Sequence, residues 1–78
     1  MKRVINIWGE VIREDLEMSD IVLDQTYIGN NHISPKYLEN MVLVAKRKGR
    51  KNVVMSCKEY PGESFYIMPF MLEEVKDV

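Results

Sequence analysis

Residues 34–49 read SPKYLENMVLVAKRKG, and the fold predicted for the chain depends on how this stretch is interpreted. Ser34 is a favourable helix N-cap, because its hydroxyl can accept a hydrogen bond from a free backbone N–H of the first turn. Pro35 then falls at the first helical position, where its fixed φ fits and its missing N–H is no loss. The stretch therefore has the start signals of a helix.

The remainder of the stretch has the periodicity and the ending of a helix. Five of its apolar residues recur at the spacing of one helical stripe, and they are Tyr37, Leu38, Met41, Val42 and Ala45. Basic residues occupy the last turn, where positive charge meets the free carbonyls of the helix C-terminus. The sequence therefore predicts an α+β fold, in which one main helix over residues 34–48 packs on a small antiparallel sheet of three to four strands.

The same residues also fit a β-hairpin. In this alternative, residues 41–45 form one strand, residues 48–51 form the turn and residues 53–57 form the returning strand. Val42 and Val44 favour this alternative because they are poor helix formers. The chain would then be a small SH3-like β-barrel. The helix is preferred because capping chemistry is more specific than propensity.

The N-terminal third begins with a predicted strand. Residues 3–8 favour β-structure and carry apolar side chains on both faces, which predicts a strand in the interior of the sheet. Gly9 interrupts this strand as a bulge or as its end. Residues 10–18 fit one face of a helix and one face of a strand equally well.

Further along the chain, three more segments read as strands. They are residues 21–28, 52–58 and 64–68. Pro61 and Gly62 can occupy the central positions of a type II turn, so the last two of these strands are expected to form a hairpin. After Pro69, residues 70–75 read as a short helix.

Length and composition predict one domain, residues 1–78. The chain is 46% hydrophobic and 29% charged, which is ordinary for a folded domain and argues against disorder. It has one cysteine, so no internal disulfide can form and a reducing, cytoplasmic location is expected. No stretch approaches the roughly 20 apolar residues that cross a membrane, so no membrane association is expected.

The charge is near zero overall but is unevenly placed along the chain. The formal net charge is −1. Residues 10–24 contain six acids and one base, whereas residues 46–51 contain five bases and no acid. Charge separated in this way gives two candidate surfaces, one acidic and one basic.

Two candidate binding segments follow from these patterns. The basic run of residues 46–51 could contact several phosphates, or it could be a solvated turn; its cations are Lys46, Arg47, Lys48, Arg50 and Lys51. The apolar run of residues 67–72 could close a small core or meet a partner. Its candidate contact residues are Met68, Phe70 and Met71, and methionine suits adaptable contacts.

No catalytic or metal site is predicted. His32 and Cys57 are the only histidine and the only cysteine, and neither lies in a catalytic signature. One of each is too few for a structural zinc site, and no cofactor motif is found. The sequence therefore predicts a small, non-enzymatic regulator or inhibitor that binds another protein and can form a homodimer. The alternative is a nucleic-acid-binding protein that uses the basic turn at residues 46–51.

Overall fold

The computed structural model describes residues 1–75, and this part of the chain is mostly β-structure. Its strands are β1 (Lys2–Ile5), β2 (Val11–Asp15), β3 (Thr26–Gly29), β4 (Val42–Lys48), β5 (Val53–Cys57), β6 (Phe65–Ile67) and β7 (Leu72–Glu74). Single turns of 3₁₀ helix lie at Met18–Asp20, Lys36–Leu38 and Pro69–Met71. Strands β3 to β7 form one antiparallel sheet in the order β6-β5-β4-β3-β7, while β1 and β2 pair as a separate hairpin.

The predicted main helix over residues 34–48 is wrong, and the α+β fold is wrong with it. Helical structure in this stretch is limited to the single turn Lys36–Leu38, and most of the remainder is strand β4. Burial alternates along the first half of β4, where Leu43 and Ala45 are fully buried and their neighbours are not. A period of two is that of a strand, and burying alternate residues here outweighs the capping signals at the start of the stretch.

Strands β4 and β5 pair with each other, as the hairpin interpretation of residues 41–57 predicts. Their register runs from Leu43 opposite Cys57 to Lys48 opposite Val53, with an irregularity between Ala45 and Arg47. The basic run is therefore the end of a strand and a turn, not the end of a helix. Within residues 1–75 the edge strands β6 and β7 do not pair with each other, so the five-stranded sheet is open.

The C-terminal segment also differs from its prediction. The short helix expected over residues 70–75 is replaced by the single turn Pro69–Met71 and by strand β7, which pairs with β3. Leu72 explains the difference, because its side chain is buried in the core while its residue lies opposite Gly29 in the sheet. The predicted hairpin of β5 and β6 is present, and Gly62 in its connection has a φ of 85°.

The hydrophobic core lies on one face of the five-stranded sheet. Its strand residues are cross-strand neighbours, as in the pairs Tyr27–Leu43 and Val53–Ile67. The loop between β3 and β4 packs closely on this sheet, since a side chain at Gly29 would clash with the carbonyl oxygen of Leu38. No residue of β1 or β2 is buried. In the described part of the chain, no helix is long and apolar enough to cross a membrane.

Candidate functional site

The most exposed apolar side chains belong to the β1–β2 hairpin. Five of them, here called the hairpin tip, are about half exposed or more: Ile5, Ile7, Trp8, Val11 and Ile12. Ile7 is 90% exposed and Trp8 is 77% exposed. Single exposed apolar residues are ordinary, whereas large contiguous apolar patches are common at interaction sites.

The turn that carries Ile7 and Trp8 is held in one conformation by Asn6. Asn6 Oδ1 accepts hydrogen bonds from the backbone N–H groups of Trp8 at 2.9 Å and of Glu10 at 3.0 Å. The main chain of Asn6 also bonds to Glu10 and to Gly9. Gly9 has a φ of 81°, which glycine adopts without steric cost. The tip is therefore presented by an ordered turn rather than by a loose loop.

This arrangement corrects the prediction of an interior strand over residues 3–8. Strand β1 ends at Ile5, and the following residues turn back into β2. Val4 is half-buried, and Ile5, Ile7 and Trp8 are exposed, so the segment is not buried on both faces. The pattern of an Asn followed three residues later by a Gly is a turn signal that could have located the tip.

The base of the hairpin is anchored to the rest of the protein. Leu16, which follows β2, is 5% exposed and belongs to the core. The Met1 ammonium lies 2.9 Å from Asp20 Oδ2, and this hydrogen-bonded pair raises the pKa of the amino group. The pKa of Asp20 is lowered, first by the backbone N–H of Glu17, which donates to its carboxylate at 2.8 Å, and then by the ammonium.

A groove of about 600 Å³ lies beside the hairpin base, where β2 packs near the Pro69–Met71 turn. Its apolar lining includes Met18, Met68 and Phe70. Cations line it as well, and they are Lys2, Arg13, Arg50 and Lys51. We call this site the basic groove.

Of these cations, only Arg13 forms a salt bridge within residues 1–75. Arg13 Nε lies 3.0 Å from Asp15 Oδ1. Lys2, Arg50 and Lys51 form no salt bridge with any residue of the described chain. Asp15 and Glu17 also line the groove, so its four cations outnumber its two acids, and the site combines an apolar floor with a net positive charge.

The structure brings together some of the binding residues predicted from sequence and separates others. Arg50, Lys51, Met68 and Phe70 meet in the basic groove, although they come from two different predicted segments. Met71 is partly buried and packs against the core. The remaining candidates lie along the exposed end of β4 and are Lys46, Arg47 and Lys48.

A second groove, of about 500 Å³, borders the other side of the hairpin base. Acids line it, and they are Glu14, Glu73 and Glu74. Leu16 lines both grooves. Of the acidic segment 10–24, only Glu14 lines this second groove, whereas Asp15 and Glu17 line the basic groove.

Cys57 and His32 have separate local partners. The Cys57 thiol is buried and donates to Glu59 Oε2 at 3.0 Å. Burial is the main reason why the pKa of this thiol is raised. The backbone N–H of His32 donates to Asn30 Oδ1 at 2.9 Å in an exposed loop. Residues 1–75 contain no cluster of three or more acidic, histidine or cysteine side chains that could hold a metal ion.

Comparison with known proteins finds no match among family models, curated proteins or solved structures.

Proposed function

We propose that this protein acts by binding another protein through the hairpin tip and that it catalyses no reaction. The observation that carries the proposal is the exposure of Ile7 and Trp8 on an ordered turn. Fully burying one large apolar side chain is worth about 1.5–3 kcal/mol. Keeping two such side chains in water is costly for an isolated molecule and useful for one that meets a partner.

The composition and rigidity of the tip support recognition by a protein. Tryptophan is among the residues most enriched at the energetic centres of protein interfaces. Because Asn6 already fixes the turn, little conformational entropy is lost when the tip binds. The tip also contributes nothing to the core, so its apolar character has no role in packing the sheet.

The proposal that the protein catalyses no reaction rests on the low reactivity expected of the Cys57 thiol. A thiol nucleophile reacts as the thiolate, and burial raises the pKa of this one. Its hydrogen-bond partner is the carboxylate of Glu59, and a negative charge beside the thiol disfavours the thiolate further.

The test compares a tip variant with a matched surface control in a pull-down. The tip variant, Ile7→Ser with Trp8→Ser, removes the two most exposed apolar side chains of the tip. The control, Tyr66→Ser, removes an aromatic side chain that is 64% exposed on β6. We expect a protein from a nuclease-treated lysate of the source cells to be retained by wild type and by the Tyr66 variant and lost with the tip variant. Retention by all three proteins would contradict the proposal. Thermal unfolding of each variant verifies its fold.

A second candidate function is nucleic-acid binding by the basic run. Its support is that Lys46, Arg47, Lys48, Arg50 and Lys51 are all exposed and form no salt bridge with residues 1–75. Phosphate contacts would make affinity for duplex DNA fall with salt at a log–log slope of about −0.9 per contact. Arg47→Ala with Arg50→Ala should then lower both affinity and slope. We rank this function second because the run has no interleaved aromatic side chain on which a base could stack.

A further inference from the structure

We propose that the partner of the hairpin tip is a second copy of this chain, and that each copy places its tip in the basic groove of the other. This inference rests on the proposed function, because it names the protein that the tip binds. It joins the tip to the groove as two halves of one interface.

The tip and the groove both expose large apolar side chains. The tip presents Ile7 and Trp8. The floor of the groove presents Met68 and Phe70, which are 38% and 37% exposed. Methionine adapts its shape to a neighbouring ring and makes favourable sulfur–aromatic contacts. A tryptophan entering this groove would therefore find partly exposed apolar side chains that have no other cover in the described chain.

The charged parts match in sign. Glu10 follows the turn directly, is exposed, and forms no salt bridge within residues 1–75. Lys2, Arg50 and Lys51 line the groove and form no salt bridge within residues 1–75, and together with Arg13 they outnumber the two acids of the lining, Asp15 and Glu17. A tip inserted in the groove would bring the carboxylate of Glu10 to these cations, and complementary charge of this kind fixes orientation and speeds association.

The length of the hairpin allows each tip to reach the groove of the other copy at the same time. Lys2 and Asp15 lie opposite each other at the hairpin base and border the groove. The turn lies four to five residues further along, or about 15 Å at 3.3 Å per residue. A second copy turned by a half-rotation would lay its hairpin antiparallel to the first, with each tip beside the other's base. Such an interface is closed by two-fold symmetry and gives a dimer.

The apolar area available is of the order that a stable dimer needs. Stable interfaces bury roughly 800 Å² on each partner. The tip offers five side chains that are each about half exposed or more. Val11 and Ile12 are neighbours in β2, so their side chains lie on opposite faces of the hairpin and one groove covers only part of this set. The contact therefore approaches the area of a stable interface only when each copy contributes both its tip and its groove. A contact of one tip with one groove would bury only about half as much.

Trp8 is the only tryptophan, so its fluorescence reports directly on the tip. On concentration from about 1 µM to about 100 µM, a range that spans ordinary weak to moderate affinities, we expect the emission to shift to shorter wavelength. Sedimentation should show a monomer converting to a dimer over the same range. Ile7→Ser with Ile12→Ser, which keeps Trp8, should abolish both changes.

A charge exchange tests the pairing of tip and groove. Glu10→Lys, or Arg50→Glu with Lys51→Glu, should weaken the dimer by about tenfold or more, and combining all three substitutions should restore much of the affinity. Glu63→Lys and Lys58→Glu change exposed charges in the β5–β6 connection and should leave the dimer unchanged. Weakening without rescue in the combined variant would contradict the pairing.

Other outcomes would overturn the inference in distinct ways. A folded monomer at all concentrations, with unchanged Trp8 emission, would exclude self-docking; the proposed function would still stand if a different protein were retained in a tip-dependent pull-down. A dimer that survives the tip substitutions would place the interface elsewhere. Species that grow beyond a dimer with concentration would contradict the reciprocal arrangement, since one-way insertion builds open chains.

Discussion

The side chain of Asn6 holds the backbone of Trp8, because Asn6 Oδ1 accepts the Trp8 N–H at 2.9 Å. The same oxygen accepts the N–H of Glu10 at 3.0 Å. One polar side chain therefore orders the turn that presents the most exposed apolar residues of the protein. The order of the tip is set locally, by a side chain that is itself outside the core.

Replacing Asn6 with Ala should loosen the turn without unfolding the sheet. A net hydrogen bond is worth about 0.5–1.5 kcal/mol, so amide exchange at Trp8 and Glu10 should accelerate by about tenfold. Asn31→Ala is the control, because no residue of the described chain bonds to the Asn31 side chain. A loss of global stability above roughly 2 kcal/mol in the Asn6 variant would show that the turn supports the core.

Adjacent substitutions in β4 test its strand character. Leu43→Ala should cost about 2–5 kcal/mol, because the side chain is fully buried and its removal leaves a cavity. Val42→Ala should cost about 1 kcal/mol or less, since Val42 is 49% exposed. Urea denaturation of both variants measures the difference. Equal losses of stability at the two positions would contradict the alternation of buried and exposed residues along β4.

Cys57 should be unreactive in the folded protein. Its thiol is buried, and burial raises its pKa above the ordinary value, so little thiolate is available at neutral pH. Alkylation by iodoacetamide should proceed only at the rate of unfolding and should become fast in urea. Rapid labelling of the native protein would revive a reactive role for this residue.

Neither Cys57 nor His32 should be needed for binding. Cys57→Ala should lower stability by about 1 kcal/mol or more, because the residue is 3% exposed, while leaving tip-dependent capture intact. His32→Ala should change neither property. Complete loss of activity in a folded His32 variant would support an enzymatic function instead.

Protonation of Asp20 should make the folded protein less stable in acid. Its pKa is lowered in the folded state, chiefly by the Glu17 N–H. A carboxylate whose pKa is lower in the folded state contributes stability above its unfolded pKa, and this contribution is lost as the pH falls through the folded pKa. Asp20→Asn should therefore flatten the stability profile below about pH 4. A profile that is unchanged by the substitution would contradict this role.

The strands that were predicted well are those whose burial pattern and turn chemistry agree. β5 and β6 carry alternating buried residues and are joined through Gly62, which requires positive φ. For β4 the local signals disagree, because Ser34 and Pro35 predict a helix start while the valines favour a strand. Pairing with β3 decides between them, and it connects residues well separated in the sequence, such as Thr26 and Val44.

The hairpin tip was missed because exposure cannot be read from residue type. Ile5, Ile7 and Trp8 have the composition of a buried strand, and only the tertiary structure shows that nothing covers them. Some residues of the basic groove are candidates from the sequence, because charge and apolar runs are visible there, and their binding role stays a prediction. The meeting of Arg50 with Phe70 depends on the fold and could not be foreseen.

The absence of buried residues from β1 and β2 has a consequence for how this chain can change over generations. Apart from Asn6 and Gly9, which shape the turn, substitutions at residues 5–12 encounter few constraints from packing of the core. Under the proposed function, the hairpin can therefore diverge in specificity while the five-stranded sheet stays the same. In protein engineering, the hairpin is a segment that could be replaced by a different recognition loop, provided that the anchoring residue Leu16 is kept.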